Sequence, residues 1–270
     1  MTAYIAAMCI FVLCLAVFLF LIFPSPQGKK RFASLGKHYY AHRGLHQKDR
    51  SIAENSLRAF ELAVSAGYGI ELDVQLSKDG KIVVFHDDDL ERVCGIDRRV
   101  DELTYDELAE LRLFDTESAI PLFEDVLSFI KGRSVLIVEL KTGRKNKELC
   151  AKTLESLRNY EGAFCIESFD PRIVAWFKKN APDIVRGQLA APTSSYGDKH
   201  FKFLVFLMSR CLANFLSRPD FIAYKNVAKP LTVKICEALG AAKVCWTSRK
   251  LNDNSGNAAE IFEYYLPKVI

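Results

Sequence analysis

Three patterns of hydrophobic and polar residues divide this 270-residue chain. The first is an apolar run from Ala3 to Phe23 without a charge. At ~1.5 Å per helical residue such a run crosses the hydrocarbon of a bilayer. A signal sequence is the other reading. Against it, no basic stretch precedes the run and no small-x-small cleavage site follows, since Pro24-Ser25-Pro26 comes directly after a Phe. We therefore expect a transmembrane anchor over 1–25, a linker over 26–36 where Pro and Gly interrupt the helix, and a folded domain over 37–270.

The second pattern alternates short apolar runs with stretches whose apolar residues recur at helical spacing. Strands are predicted at 39–41, 69–76, 81–85, 134–140, 164–168, 185–189, 221–224, 243–247 and 260–264. Helices are predicted between a cap at Asn55 or Ser56 and Gly67, and at 105–112, 123–129, 147–159, 171–180 and 231–239. This alternation predicts an α/β fold, a (β/α)8 TIM-type barrel, with an open doubly wound sheet as the alternative. Nine candidates exceed eight by one, and the tight Lys78-Asp79-Gly80 turn makes 81–85 the surplus, an antiparallel hairpin arm. Pairing Lys78 with Lys81 would set Asp73 opposite His86. The polar stretch 88–118 reads as an insertion walling one side of a site.

The third pattern is the segment 199–218. Phe201, Leu204, Val205, Met208, Leu212, Phe215 and Leu216 share one helical face, Lys199, Lys202, Arg210, Asn214 and Ser217 gather on the other, and no acid interrupts them. The pattern suits a helix lying in a membrane interface. It equally suits a barrel helix with a solvated basic side.

Net charge is only +4, which excludes the strong basic footprint of a nucleic-acid binder. Lys29, Lys30, Arg31 and Lys37 lie just past the apolar run, so the positive-inside tendency places a single-pass protein in the cell membrane with its domain in the cytoplasm. The eight cysteines form no C-x-x-C pair. Reduced, buried thiols are expected, in keeping with a reducing compartment.

Glu71 and Asp73 stand two apart in one predicted strand and so share a face. Burying two carboxylates side by side costs several kcal/mol unless positive charge meets them, and either a metal or nearby basic side chains would supply it. With Glu139 they make three hard oxygen donors, suited to Mg²⁺ or Ca²⁺. His42 and His86 each follow an apolar strand, and histidine is the usual general acid or base near neutral pH. A satisfied structural histidine is the plain alternative. Arg43 and Lys141 are placed to bind phosphate oxygens or to pair with the acids. Glu54 and Asn55 would order the loop after the first strand, and Phe169 and Trp246 would line an alcohol pocket or pack the core.

Ala41-His42-Arg43-Gly44, Glu54-Asn55-Ser56, Glu71-Leu72-Asp73, His86-Asp87 and Glu139-Leu140-Lys141, in that order, resemble the glycerophosphodiester phosphodiesterase family over the whole region after about Tyr39. The resemblance implies that Glu71, Asp73 and Glu139 hold the metal and that His42 and His86 are catalytic. It further implies hydrolysis to glycerol 3-phosphate and an alcohol, with the substrate's own glycerol hydroxyl as a possible attacking group. The ending Phe262-Glu263-Tyr264-Tyr265-Leu266-Pro267 departs from the family's Thr-Asp-Tyr-Pro-like segment, which leaves substrate preference open. Two other functions stand beside this one: lysophospholipase D-like hydrolysis of membrane lysophospholipids, and a non-enzymatic scaffold that binds lipid headgroups.

Overall fold

All nine predicted strands form in the computed structural model, which describes residues 1–196, 201–251 and 256–268. In chain order the strands are β1 Tyr39–Ala41, β2 Gly69–Leu76, β3 Ile82–Val84, β4 Asp89–Leu90, β5 Ile96–Arg99, β6 Leu136–Leu140, β7 Phe164–Ser168, β8 Val185–Ala190, β9 Phe221–Lys225, β10 Ala242–Ser248 and β11 Ala259–Phe262. The helices are α1 Thr2–Ile22, α2 Gly28–Ala33, α3 Leu57–Ser65, α4 Glu91–Cys94, α5 Tyr105–Ala109, α6 Phe123–Ile130, α7 Asn146–Arg158, α8 Pro171–Asn180, α9 Lys202–Ser209, α10 Asn214–Ser217 and α11 Leu231–Ala238. Eight strands, β1, β2 and β6 to β11, pair in parallel and close on themselves through β1 with β11 and β1 with β2. The open-sheet alternative is thereby excluded. β3 is the surplus strand, antiparallel along the last residues of β2, where short β1 has already ended.

The hairpin register differs from expectation by one residue. Val74 pairs with Val84 and Leu76 with Ile82, so Phe85, whose N–H donates to the Asp73 carbonyl, stands opposite Asp73. Ser77 rather than Lys78 closes the turn: its N–H donates to the Lys81 carbonyl, and its hydroxyl accepts from the Lys81 N–H. Three loop residues result, with Gly80 at φ 77° in the left-handed position such loops require.

Strand alternation sorts the core into two layers. Ile70, Leu72, Val74, Val138, Leu140 and Ile166 face outward against apolar residues of α3, α6, α7 and α8. Tyr40, Ile137, Cys165, Leu189, Phe221 and Val244 fill the barrel interior. Ser56 caps α3, its hydroxyl accepting from the Ala59 N–H. Ser56→Ala is expected to cost about 1 kcal/mol, read as a lower urea midpoint at unchanged slope.

Two stretches fold differently from their sequence pattern. The expected linker forms α2, whose Phe32 enters the barrel's N-terminal end against Phe221 while the Arg31 guanidinium donates to the carbonyls of Pro182, Asp183 and Ile184. The segment 199–218, whose first two residues lie outside the described ones, is no single helix: α9 and α10 are separated by Cys211 at φ 55°. Its burial also departs from the two predicted faces. Asn214 and Ser217 are buried while Phe201 and Leu204 are exposed. The reason lies at the end of α1: Asn214 Nδ2 donates to the Ile22 carbonyl, and Ile22 packs among Ala190, Ile222, Tyr224, Val233 and Cys236 as part of the barrel's outer layer. The region 88–118 carries its own apolar cluster around Leu90, Val93, Val100 and Leu108. All eight cysteines are free.

Candidate active site

Glu71, Asp73 and Glu139 project into one end of the barrel from β2 and β6, where Asp73 and Glu139 are register partners. One carboxylate oxygen from each lies within 4.8 Å of the others, and all three residues are buried. Positive charge meets them directly: Lys141 Nζ is 2.9 Å from Glu139 and 3.3 Å from Asp73, and Arg43 Nε is 3.6 Å from Asp73. Asn55 Nδ2 donates to Asp73 at 2.9 Å.

The turn after β1 brings His42 and Arg43 to this cluster. Arg43 at φ 52° and Gly44 at φ 78° reverse the chain, and the Arg43 N–H donates to Glu71 at 3.0 Å. A Cβ at Gly44 would meet the Ala59 side chain at 2.8 Å, so only glycine lets the turn pack on α3. The Arg43 side chain reaches Glu54 at 2.7 Å. Arg92 ties Glu54 to Asp87, and Asp87 in turn holds His86 through Nδ1 at 2.5 Å. Glu54 is thus tied both to Arg43 of the first loop and to Arg92 of the 88–118 region.

Glu167, Glu263 and His46 join the site without having been predicted. Glu167 pairs in register with Glu139, is buried, and its Oε2 has no hydrogen-bond partner. A lone acid in an apolar strand was its signal, the same one that marks Glu139. Glu263 accepts from His42 Nδ1 at 2.8 Å and from Arg249 Nε at 2.5 Å. His46 Nε2 lies 3.6 Å from the same carboxylate. Phe169 and Trp246 meet edge to face at 5.6 Å and pack on the interior core, so the two readings of them are not exclusive.

Electrostatics explain which groups carry charge. Burial, then the charges of Asp73, Glu139 and Glu167, push Glu71 well above the usual carboxylate range. Burial and Glu139 do the same to Glu167. For Asp73 burial is outweighed by Lys141, His86, Arg43 and the Asn55 hydrogen bond, which hold its carboxyl well below that range. Four buried carboxylates face two basic side chains, so either protons or a dication must make up the difference. Three hard oxygen donors fit Mg²⁺ or Ca²⁺.

Burial and Arg43 lower the His42 pKa from 6.5 to about 4, against the raising effect of Glu263. The ring is therefore neutral at neutral pH, with Nδ1–H donated to Glu263 and Nε2 left as an acceptor. Between pH 6.5 and about 4 the unfolded chain binds a proton that folded His42 refuses, so stability falls as pH drops through this window. The loss from this group totals about 3 kcal/mol. His42→Gln should remove that slope, checked by urea midpoints of both proteins at neutral and at mildly acidic pH.

The family model for glycerophosphoryl diester phosphodiesterases matches residues 42–256. A glycerophosphodiester phosphodiesterase of Bacillus altitudinis is 33% identical over 175 residues, covering 60% of this chain and 70% of that protein. Rat lysophospholipase D GDPD1 is 29% identical over 160 residues, 53% of this chain and 48% of that protein. Among solved structures, an Oleispira antarctica phosphodiesterase in complex with the product sn-glycerol-3-phosphate superposes with a TM-score of 0.65 at 22% identity, covering 83% of this chain and 92% of that one. That likeness extends the barrel fold beyond the aligned sequence. With its family match spanning every motif from His42 to Lys141, the chain belongs to the glycerophosphoryl diester phosphodiesterase family and is a phosphoric diester hydrolase.

Proposed function

We propose that this enzyme hydrolyses glycerophosphodiesters to glycerol 3-phosphate and an alcohol with a divalent cation, Mg²⁺ or Ca²⁺, held by Glu71, Asp73 and Glu139. The observation that carries the reading is the meeting of those three acids, from two strands, with a carboxylate-tethered imidazole on each of two neighbouring loops. When bound, such a cation neutralises phosphoryl charge and acidifies an attacking hydroxyl. Arg43 and Lys141 bind the non-bridging oxygens, exchanging part of their pairing with the acids for the substrate's phosphate. His42, neutral and oriented by Glu263, takes the proton of the attacking hydroxyl at Nε2. His86, held by Asp87 through Nδ1, gives a proton to the leaving alkoxide. Phe169 and Trp246 pack against the alcohol, and Glu54 and Asn55 fix the loop that carries Arg43.

The test supplies the purified full chain with glycerophosphocholine and Mg²⁺, Ca²⁺ or EDTA and follows glycerol 3-phosphate. Turnover lost in EDTA supports the proposal. No turnover with either metal sinks it.

We also read α1 as a membrane anchor, being long and apolar enough to span, with Lys29, Lys30, Arg31 and Lys37 favouring a cytoplasmic barrel. A second substrate reading, lysophospholipase D-like cleavage of membrane lysophospholipids, is favoured by the exposed aromatics of α9 and by the rat relative's named activity. Release of choline from lysophosphatidylcholine vesicles separates it from the first.

A further inference from the structure

The barrel is not merely tethered to α1. The last turns of α1 are built into it: Phe18, Leu19 and Ile22 pack with the outer-layer cluster, and the Ile22 carbonyl accepts from Asn214 Nδ2 and the Cys236 thiol. Arg218 donates to the carbonyls of Phe20 and Phe23 at 2.8 and 2.7 Å and lies over the Phe20 ring, while Phe20 meets Phe215 at 5.8 Å. The segment 210–218 therefore fixes the orientation of the barrel relative to the anchor.

Just before that segment, α9 presents its apolar residues outward. Phe201, Phe203, Leu204 and Phe206 are 74%, 61%, 54% and 43% exposed, and no other part of the described barrel shows such a run. Three aromatics in six residues are costly to leave in water. Exposed apolar groups of this density mark an interaction surface. The charge around them has one sign: Lys202 is exposed, the Arg210 guanidinium stacks on Phe206 at 4.1 Å, and no acid occurs from Phe201 to Pro219. Tyr196, earlier in the chain, meets Phe169 at the site end of the barrel by a ring contact at 5.9 Å.

We propose that α9 docks into the headgroup region of the phospholipid bilayer that α1 spans, its Phe side chains reaching the acyl boundary and Lys202 and Arg210 meeting lipid phosphates. The proposal rests on reading α1 as an anchor. A bilayer is the occupant that the surface favours because the anchor already brings one to this side, and because shallow aromatic insertion beside basic residues is the chemistry of interfacial helices. The consequence is a barrel held with α9 against the membrane, not swinging freely on a linker.

The experiment uses the full chain in phospholipid nanodiscs, with and without phosphatidylcholine brominated on its acyl chains. Phe203→Trp adds a reporter to the two native tryptophans, and Phe129→Trp, on α6 across the barrel, serves as control. The expected result is loss of the added Phe203→Trp emission in brominated discs and none for Phe129→Trp. Equal behaviour of the two variants overturns the docking. Glycerophosphocholine turnover, measured on the same samples, is a separate readout: its absence counts against the catalytic proposal and leaves the quenching result standing.

Discussion

Glu71→Gln is expected to lower kcat on glycerophosphocholine about a thousandfold in saturating Mg²⁺ or Ca²⁺, while raising the melting temperature of the metal-free protein. Both signs follow from one arrangement. Glu71 is buried against Asp73, Glu139 and Glu167, and its carboxyl is driven well above the usual range, so the metal-free fold must either bear a repelled charge there or take up a proton that the unfolded carboxyl has released. The Gln amide oxygen keeps the hydrogen bond from the Arg43 N–H and drops the repulsion. What it cannot supply is an anionic donor. Charge stabilisation by a bound cation is worth several kcal/mol in the transition state, and ~4 kcal/mol is close to a thousandfold. Isothermal titration with each cation, melting curves in EDTA and steady-state rates check the three parts. An unchanged kcat with a raised melting temperature would remove Glu71 from the cation site and leave it a strained acid.

His42→Ala and His86→Ala are each expected to lower kcat by about a thousandfold with little change in KM, the range of positioned proton transfer. The two variants should part company when the leaving group changes. A p-nitrophenyl phosphodiester departs as a stable phenolate and needs no proton, so His86→Ala should recover much of its activity on it, whereas His42→Ala should not. The reverse recovery would exchange the two roles. Glu263→Gln belongs to the same experiment: it leaves the His42 ring in place but weakens the tie at Nδ1 and the hold on its tautomer, for an expected loss of about tenfold to a hundredfold. In this chain the segment after β11 supplies the carboxylate that orients His42, clamped from its other side by Arg249.

Much of the fold was legible because strand and helix periods are local. Leu136–Leu140 is apolar on both faces except for Glu139, and Gly69–Leu76 carries a continuous apolar face in Ile70, Leu72, Val74 and Leu76; both are buried along nearly their whole length, which is what a barrel demands. The surplus strand was legible for the same reason, through a turn too tight for a crossover. Its register was not: Lys78-Asp79-Gly80 permits either a two- or a three-residue loop, and the Ser77 hydroxyl, accepting from the Lys81 N–H, accompanies the longer one. The segment 199–218 misled because helical spacing is kept across Cys211 and because α1, far away in sequence, claims Asn214 for its last carbonyl.

The chain alone determined the barrel and the apolar span, and it marked eleven candidate side chains from His42 to Trp246, by residue type near strand ends and by the order of the motifs that resemble the family's. Only the tertiary structure decided that Glu167 faces Glu139, that Glu263 and Asp87 each hold one imidazole, and that α1 is locked to the barrel by Asn214, Arg218 and Cys236. The physical reason is that pairing and side-chain aim are set by the assembled barrel: neighbouring strands put Glu139 beside Glu167, and closure brings Glu263 to His42 across 221 residues and Asn214 to Ile22 across 192, distances with no counterpart in local periodicity.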